Sequence, residues 1–278
     1  MSRAGLLPGT NLSGYAVMPP QARAGVILVH GIAEHGGRYR HALEAFAARG
    51  IAGFAYDQRG HGLHPGVRTH VEDFGLFAHD LAAAGASLRL HHAQLPLFVW
   101  GHSMGSVVAL LAARNGLGWS RGVITSGCAL DALPSLKGAR GVGLNLANAL
   151  LPRLRISLGV DATRLTQVEA TQREHMNDPL VARSASLRLL HGFASACSTL
   201  KQQLGNITLP WLAIHGEADP VCPVSGSRQL IAGLGSADKQ LLLYPGLLHE
   251  PHNEEASSQA LMFSDMSQWM LSRAAASA

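Results

Sequence analysis

Three side chains, far apart along the chain, have the types and local settings needed for acyl transfer. Ser103 stands in "WGHSMGS" between Gly101 and Gly105, where the apolar run "LPLFVW" (95–100) gives way to the helix-like "SVVALLAARNG" (106–116). A serine hydroxyl is a weak nucleophile at neutral pH without a base, and the base needs an acid to orient it. Asp219 follows the apolar run "LPWLAIH" (209–215), and His249 follows "KQLLLYPG" (239–246). Serine, acid and histidine in that order, each on a loop after a candidate strand, form one known arrangement of such a set. Glu217 is a rival acid and His252 a rival base. Asp219 lies deeper in its loop, just before the helix-compatible "PVSGSRQLIAGL", whereas His252 adjoins the acidic "NEEA" that opens the last helical pattern.

The glycines carry the argument for Ser103. A reversal from strand to helix within a few residues crowds the serine's neighbours, and glycines at 101 and 105 remove the side chains that would clash. The hydroxyl then projects above the sheet, while a helix starting near Met104 offers unpaired N–H groups to an anion. A plain helix N-cap would explain a serine but not two flanking glycines. Acyl transfer also needs donors for the developing oxyanion. The amide of Ile32, after "VILVHG", and that of Met104 are the expected pair.

Other uses of these residues fit less well. His30, His35 and His41 lack the His-Glu-x-x-His spacing and no cysteine cluster supports them, so no metal is expected. No G-x-G-x-x-G follows the first apolar run, which argues against a dinucleotide cofactor, and no other cofactor is indicated. Asp57 precedes the serine and so cannot fill the acid position; a structural role in its loop is expected for it and for Arg59.

The elements that must position this set are legible as alternating patterns. Short, continuously apolar runs at 24–30, 51–56, 95–100, 121–126, 209–215 and 239–246 suit strands buried on both faces. Helix-like patterns at 40–50, 74–92 and 106–116 lie between them, which argues an α/β fold with helices on both faces of a parallel sheet. The alternation breaks between residues 129 and 190. That interval is too long for a structureless loop, and it reads as a mainly helical insert. Extra core helices are the bland reading, and a lid over the site is the functional one that we expect. The division is therefore a core in two parts, 1–128 and 191–278, with a cap at 129–190.

Composition bounds the function. The 278 residues are 47% hydrophobic and 14% charged, with a net charge of +4. The basic residues are scattered in short clusters with few aromatics among them, so nucleic-acid binding is not expected. Cys128, Cys197 and Cys222 form an odd set without paired spacing, as expected of free thiols in a reducing compartment. No stretch approaches the ~18 consecutive apolar residues of a membrane span, and the first twenty residues hold no signal-peptide core. A cytoplasmic location is the expectation.

Taken together, "HGIAEHGGRY", "YDQRGHG", "GHSMGS", "HGEADPVCP" and "YPGLLHEPHNE" resemble the monoacylglycerol lipase and lysophospholipase branch of the α/β-hydrolases. The resemblance implies an eight-stranded, mostly parallel sheet with a helical cap between strands six and seven. It also implies a serine esterase acting on lipid-like esters through an acyl-enzyme, with Ser103, Asp219 and His249 as its triad and Ile32 and Met104 as its oxyanion hole. Glu34, Arg38 and His252 match positions near the glycerol group, and Cys222 matches a thiol near the site in some members. The implied partner is a small-molecule ester with an apolar acyl chain, and there is room for transient contact of the cap with a membrane surface. A noncatalytic small-molecule receptor of the same fold, or a hydrolase or acyltransferase acting on another acyl bond, is the alternative. Acyl length, head group and oligomeric state are not written in these motifs.

Overall fold

A computed structural model describes residues 2–4, 10, 12–133, 138–159 and 161–275. Its frame is an eight-stranded sheet. In chain order the strands are β1 (Ser2–Ala4), β2 (Gly14–Val17), β3 (Ala24–Val29), β4 (Ile51–Tyr56), β5 (Leu97–His102), β6 (Ser120–Ser126), then β9 (Trp211–Gly216) and β10 (Lys239–Tyr244) beyond the insert. They lie side by side as β1-β2-β4-β3-β5-β6-β9-β10. From β4 to β10 every pairing is parallel, and only the β1–β2 and β2–β4 pairings at one edge are antiparallel. The six runs expected from apolarity are the six parallel strands. The two edge strands escaped that signal because they are short, and β2 is only partly buried beyond Gly14.

Both faces of the sheet are covered, which is why its central strands are apolar without alternation. In β3, Val26 and Leu28 pack with Phe98, Trp100 and Ile214 under α1 (Arg40–Ala47) and α8 (Ala256–Ala275). Their neighbours Ile27 and Val29 face the opposite way, with Val99, under α2 (Gly75–His91) and α3 (Met104–Asn115). Successive side chains of a strand point to opposite faces, so β3 and β5 serve two cores at once. Each large aliphatic side chain buried there stabilises the fold by roughly 1.5–3 kcal/mol.

The insert follows β6. It contains α4 (Gly138–Leu150), β7 (Arg155–Ser157), α5 (Glu169–Asn177) and β8 (Ser184–Ser186). β7 and β8 pair as a small antiparallel ribbon, an addition to the helices expected from the sequence. α6 (Leu187–Lys201) begins at a Ser186 side-chain cap and runs through position 190, back onto the core. α7 (Val224–Gly233) then lies between β9 and β10. Among the described residues no helix is long and apolar enough to cross a membrane.

Candidate active site

The strand-to-helix turn after β5 is built by exclusion. A Cβ on Gly101 would overlap the carbonyl oxygen of Gly105, and one on Gly105 would overlap that of Val29. Backbone atoms cannot give way as a flexible side chain can, so both positions require glycine. Between them Ser103 takes φ +52° and ψ −121°, a conformation that a residue with a side chain rarely adopts. The strain is held by the Ser103 amide donating to the Ser126 carbonyl at 3.0 Å and by Ser106 Oγ donating to the Ser103 carbonyl at 2.6 Å.

Two later loops meet this turn. His249 Nε2 lies 3.0 Å from Ser103 Oγ, and His249 Nδ1 lies 2.7 Å from Asp219 Oδ2. Asp219 also accepts from the amides of Val221 and Cys222 through Oδ1, at 2.8 and 2.9 Å. Burial alone would raise its carboxyl pKa. Hydrogen bonds from His215 and His249, with the Cys222 amide, outweigh that and hold it well below the usual carboxylate range. Glu217, the rival acid, instead lies 3.9 Å from Arg228 on a half-exposed edge.

Sequence reasoning passed over His215, although it is the histidine of "HGEADP". It is fully buried, with Nε2 3.1 Å from Asp219 Oδ2 and Nδ1 2.7 Å from Ser227 Oγ. Only the fold turns the end of β9 back toward its own loop. Cys222 is buried in the same loop, and burial followed by the charge of Asp219 pushes its thiol well above the ordinary range, so it stays protonated.

Ile32 borders the cavity above Ser103, and Met104 is the first residue of α3 with its side chain in the core. Neither amide donates a hydrogen bond among the described residues. The loop carrying Ile32 is held by Glu34, which accepts from the Gly31 amide and from the Tyr39 hydroxyl at 2.7 Å. It bends through Ala33 at φ +65°. Asp57 accepts from the amides of Gly36 and Leu63 at 2.9 and 2.8 Å, and Arg59 pairs with Asp80. Both therefore organise loops away from the serine.

Arg38 reaches the cavity wall, where its guanidinium pairs with Glu34 and, through two nitrogens, with Glu250 at 2.9 and 2.8 Å. Burial opposes these charges, but the Arg38 guanidinium keeps both carboxyls below their ordinary range, Glu250 most of all. Glu250 was not singled out in the sequence, since its partner lies 212 positions away. His252 lies elsewhere. It is fully buried, borders no part of the Ser103 cavity, and stacks on Tyr39 with ring centroids 4.8 Å apart. Glu250, rather than His252, lines that cavity.

The cavity holds about 120 Å³. Its roof comes from the insert, through Leu158, Asp161, Arg164, Leu165, His175 and Val181. Among the described residues no group of three or more metal-ligating side chains is arranged to hold an ion.

A serine, an imidazole and a carboxylate in one hydrogen-bonded chain, on an α/β sheet with its insert after the sixth strand, now invite comparison. The sequence profile of the family described as "Serine aminopeptidase, S33" matches residues 20–256. This chain belongs to that family of α/β-hydrolases. Within the family it is monoglyceride lipase-like. It is 32% identical over 264 residues to a monoacylglycerol lipase of Mycolicibacterium smegmatis, covering 93% of this chain and 92% of the relative. The monoglyceride lipase of Homo sapiens is 31% identical over 257 residues, covering 91% and 84%. In three dimensions the crystal structure of a monoacylglycerol lipase of Paleococcus ferrophilus matches with a TM-score of 0.80 at 26% identity, covering 94% of this chain and 99% of that one.

Proposed function

We propose that this α/β-hydrolase is a carboxylic ester hydrolase for monoacylglycerol-type esters, working through an acyl-enzyme at Ser103. The observation that carries the reading is the unbroken hydrogen-bonded chain Ser103–His249–Asp219 beneath a cavity roofed by the insert. His249 Nε2 takes the hydroxyl proton as Ser103 Oγ bonds to the carbonyl carbon, and the amides of Ile32 and Met104 hold the oxyanion. Each such donor is worth roughly 3–4 kcal/mol of transition-state stabilisation. Collapse breaks the ester C–O bond, and His249 passes its proton to the departing alcohol. Water then repeats the sequence on the acyl-enzyme and releases the acid.

The charge at the Arg38 end of the cavity supports a neutral alcohol. Arg38 is opposed by both Glu34 and Glu250, so the three side chains together carry a formal charge of −1 and offer no free cation to a phosphate. Residues 129–190 act as the cap, the last four of them being the first turn of α6. Its apolar residues line the acyl side, and its exposed Val142, Leu146 and Leu150 would meet a lipid surface. The subcellular site proposed is the cytoplasm, in keeping with three free thiols.

The test is Ser103→Ala. Hydrolysis of a p-nitrophenyl ester is expected to fall at least ~10³-fold, and labelling by a fluorophosphonate to vanish. Turnover retained by the purified variant would overturn the assignment, and a parallel anilide series separates ester from amide cleavage.

A further inference from the structure

Gln58 stands between Asp57 and Arg59 in "YDQRGHG" but serves a different loop. It is fully buried, and so is His30, which lies alongside because β3 and β4 are parallel neighbours. The Gln58 side-chain amide donates to the His30 carbonyl at 2.7 Å, and its backbone amide donates to His30 Nε2 at 3.0 Å. Gln58 Oε1 has no partner among the described residues. A buried acceptor left unpaired costs stability that methionine or leucine would avoid, so packing does not account for a glutamine here. Its bond to the ring fixes a proton. Burial keeps the His30 imidazole neutral, although Glu34 and Asp57 oppose that effect. A nitrogen that accepts from a backbone N–H carries no hydrogen, so the proton of the neutral ring sits on Nδ1. Gln58 Nε2 also lies 3.3 Å from Nδ1, but a protonated nitrogen cannot accept, so its bond is to the carbonyl. Nδ1 lies 2.8 Å from the Gly31 carbonyl oxygen and donates to it. The Gly31 amide is held in turn by Glu34. Side chains thus bind the His30 carbonyl, the Gly31 amide and the Gly31 carbonyl. In a trans peptide a carbonyl and the following N–H point in opposite directions. Fixing the Gly31 carbonyl on the His30 ring therefore aims the Ile32 N–H away from that ring, and this N–H is the group left unpaired. The turn lies against the nucleophile, since a Cβ on Gly31 would stand 3.1 Å from Ser103 Cβ.

We infer that Gln58 is a positioning residue for the oxyanion, acting through His30. Gln58 selects the tautomer and orientation of the His30 ring, the ring holds the Gly31 carbonyl, and the Gly31–Ile32 peptide then presents its N–H to the oxyanion. The inference rests on ester hydrolysis at Ser103 with Ile32 as a donor, proposed above.

The experiment measures kcat and KM for p-nitrophenyl butyrate, and inhibition by pentyl trifluoromethyl ketone. Ser103 Oγ bonds to the ketone carbon, its proton passes to His249, and the carbonyl electron pair becomes an oxyanion in the place of the transition-state one. The proteins are the full chain, Gln58→Met, His30→Leu and the double variant, with rates divided by the sites that a fluorophosphonate titrates to completion. A misaimed donor predicts that kcat falls about 10- to 100-fold in each single variant. KM should stay within about threefold, because the donor acts on the transition state. Ketone affinity should weaken by about the same factor as kcat/KM. The double variant should lie within about threefold of the poorer single one, since both substitutions break one link. Unchanged kcat per titrated site would mean a purely structural role, and a fall in kcat with unchanged ketone affinity would place the defect away from the oxyanion. Fully additive losses would mean that Gln58 does not act through His30. Each of these overturns the inference. If one single variant fails to label, the other decides, and failure of both shows that the fold rather than the turn needs the contact, which also overturns it. Wild type that neither cleaves the butyrate nor binds the ketone would instead sink the ester-hydrolase reading, and this inference with it.

Discussion

Asp219 has more partners than any other member of the Ser103–His249–Asp219 chain, and its position explains what it contributes. One oxygen is saturated by two backbone amides, and the other faces His249 and His215. Asp219→Asn would keep the amide contacts but present an NH2 group to His249 Nδ1. The imidazole would then carry its proton on Nε2, toward Ser103, and could not accept from the hydroxyl. A fall in kcat of about 10⁴-fold is expected with little change in fold, read by p-nitrophenyl ester kinetics beside circular dichroism. Loss of activity below about tenfold would show that the tautomer is set elsewhere.

Among the elements, the β5–α3 turn has a geometry that leaves no alternative to its glycines. Gly105→Ala would drive a methyl group into the Val29 carbonyl oxygen on the neighbouring strand. Overpacking against backbone costs about 3 kcal/mol or more, which lowers Tm by about 6–12 °C for a domain of this size. Gly118 supplies the comparison, since a Cβ there meets nothing within 4 Å. Gly118→Ala is expected to leave Tm within about 2 °C. Calorimetry on the two variants distinguishes a steric demand from a general sensitivity to alanine; equal Tm values would refute the demand. The insert shows a second principle of element placement. The Ala182 amide donates to the Ala33 carbonyl at 2.8 Å and His35 pairs with Asp178, which ties the insert to the loop carrying Ile32. On the other side the Glu250 amide donates to the Leu165 carbonyl, and Thr166 Oγ1 donates to the Asn253 carbonyl. The segment 161–186 is thus fastened to the loops on both sides of Ser103, and α4, with its exposed leucines, is held less closely to the site.

For the molecule as a whole, buried histidines set the response to acid. Burial lowers His102 to about 4, with help from His249, and lowers His61 to about 3, with help from His30. In the unfolded chain both titrate near 6.5. Below that pH the unfolded state binds protons that the folded state refuses, so stability falls as pH falls. The window runs from about 6.5 down to about 4 for His102 and about 3 for His61, with a slope of up to ~1.4 kcal/mol per pH unit for each. The depressed carboxyls of Glu34 and Glu250 act in the same direction, but only below the ordinary carboxylate range. Urea unfolding at pH 7, 6 and 5 is expected to show a decline that His61→Phe makes shallower by up to one proton. A wild-type stability that is flat over this range would contradict the neutral, buried state of these rings.

The alternation of apolar runs with helical patterns determined the parallel strands, because a strand buried on both faces can tolerate little else. The two glycines around Ser103 determined the turn, because backbone would otherwise occupy the space of a side chain. What only the tertiary structure decided are the pairings across long separations. Arg38 meets Glu250, His215 turns back to Asp219, and His252 sinks into an aromatic stack away from the cavity. A charged or aromatic residue in a loop has no periodicity to betray its partner. Its role depends on which distant loop the sheet order brings alongside, and that order is settled by the packing of whole elements.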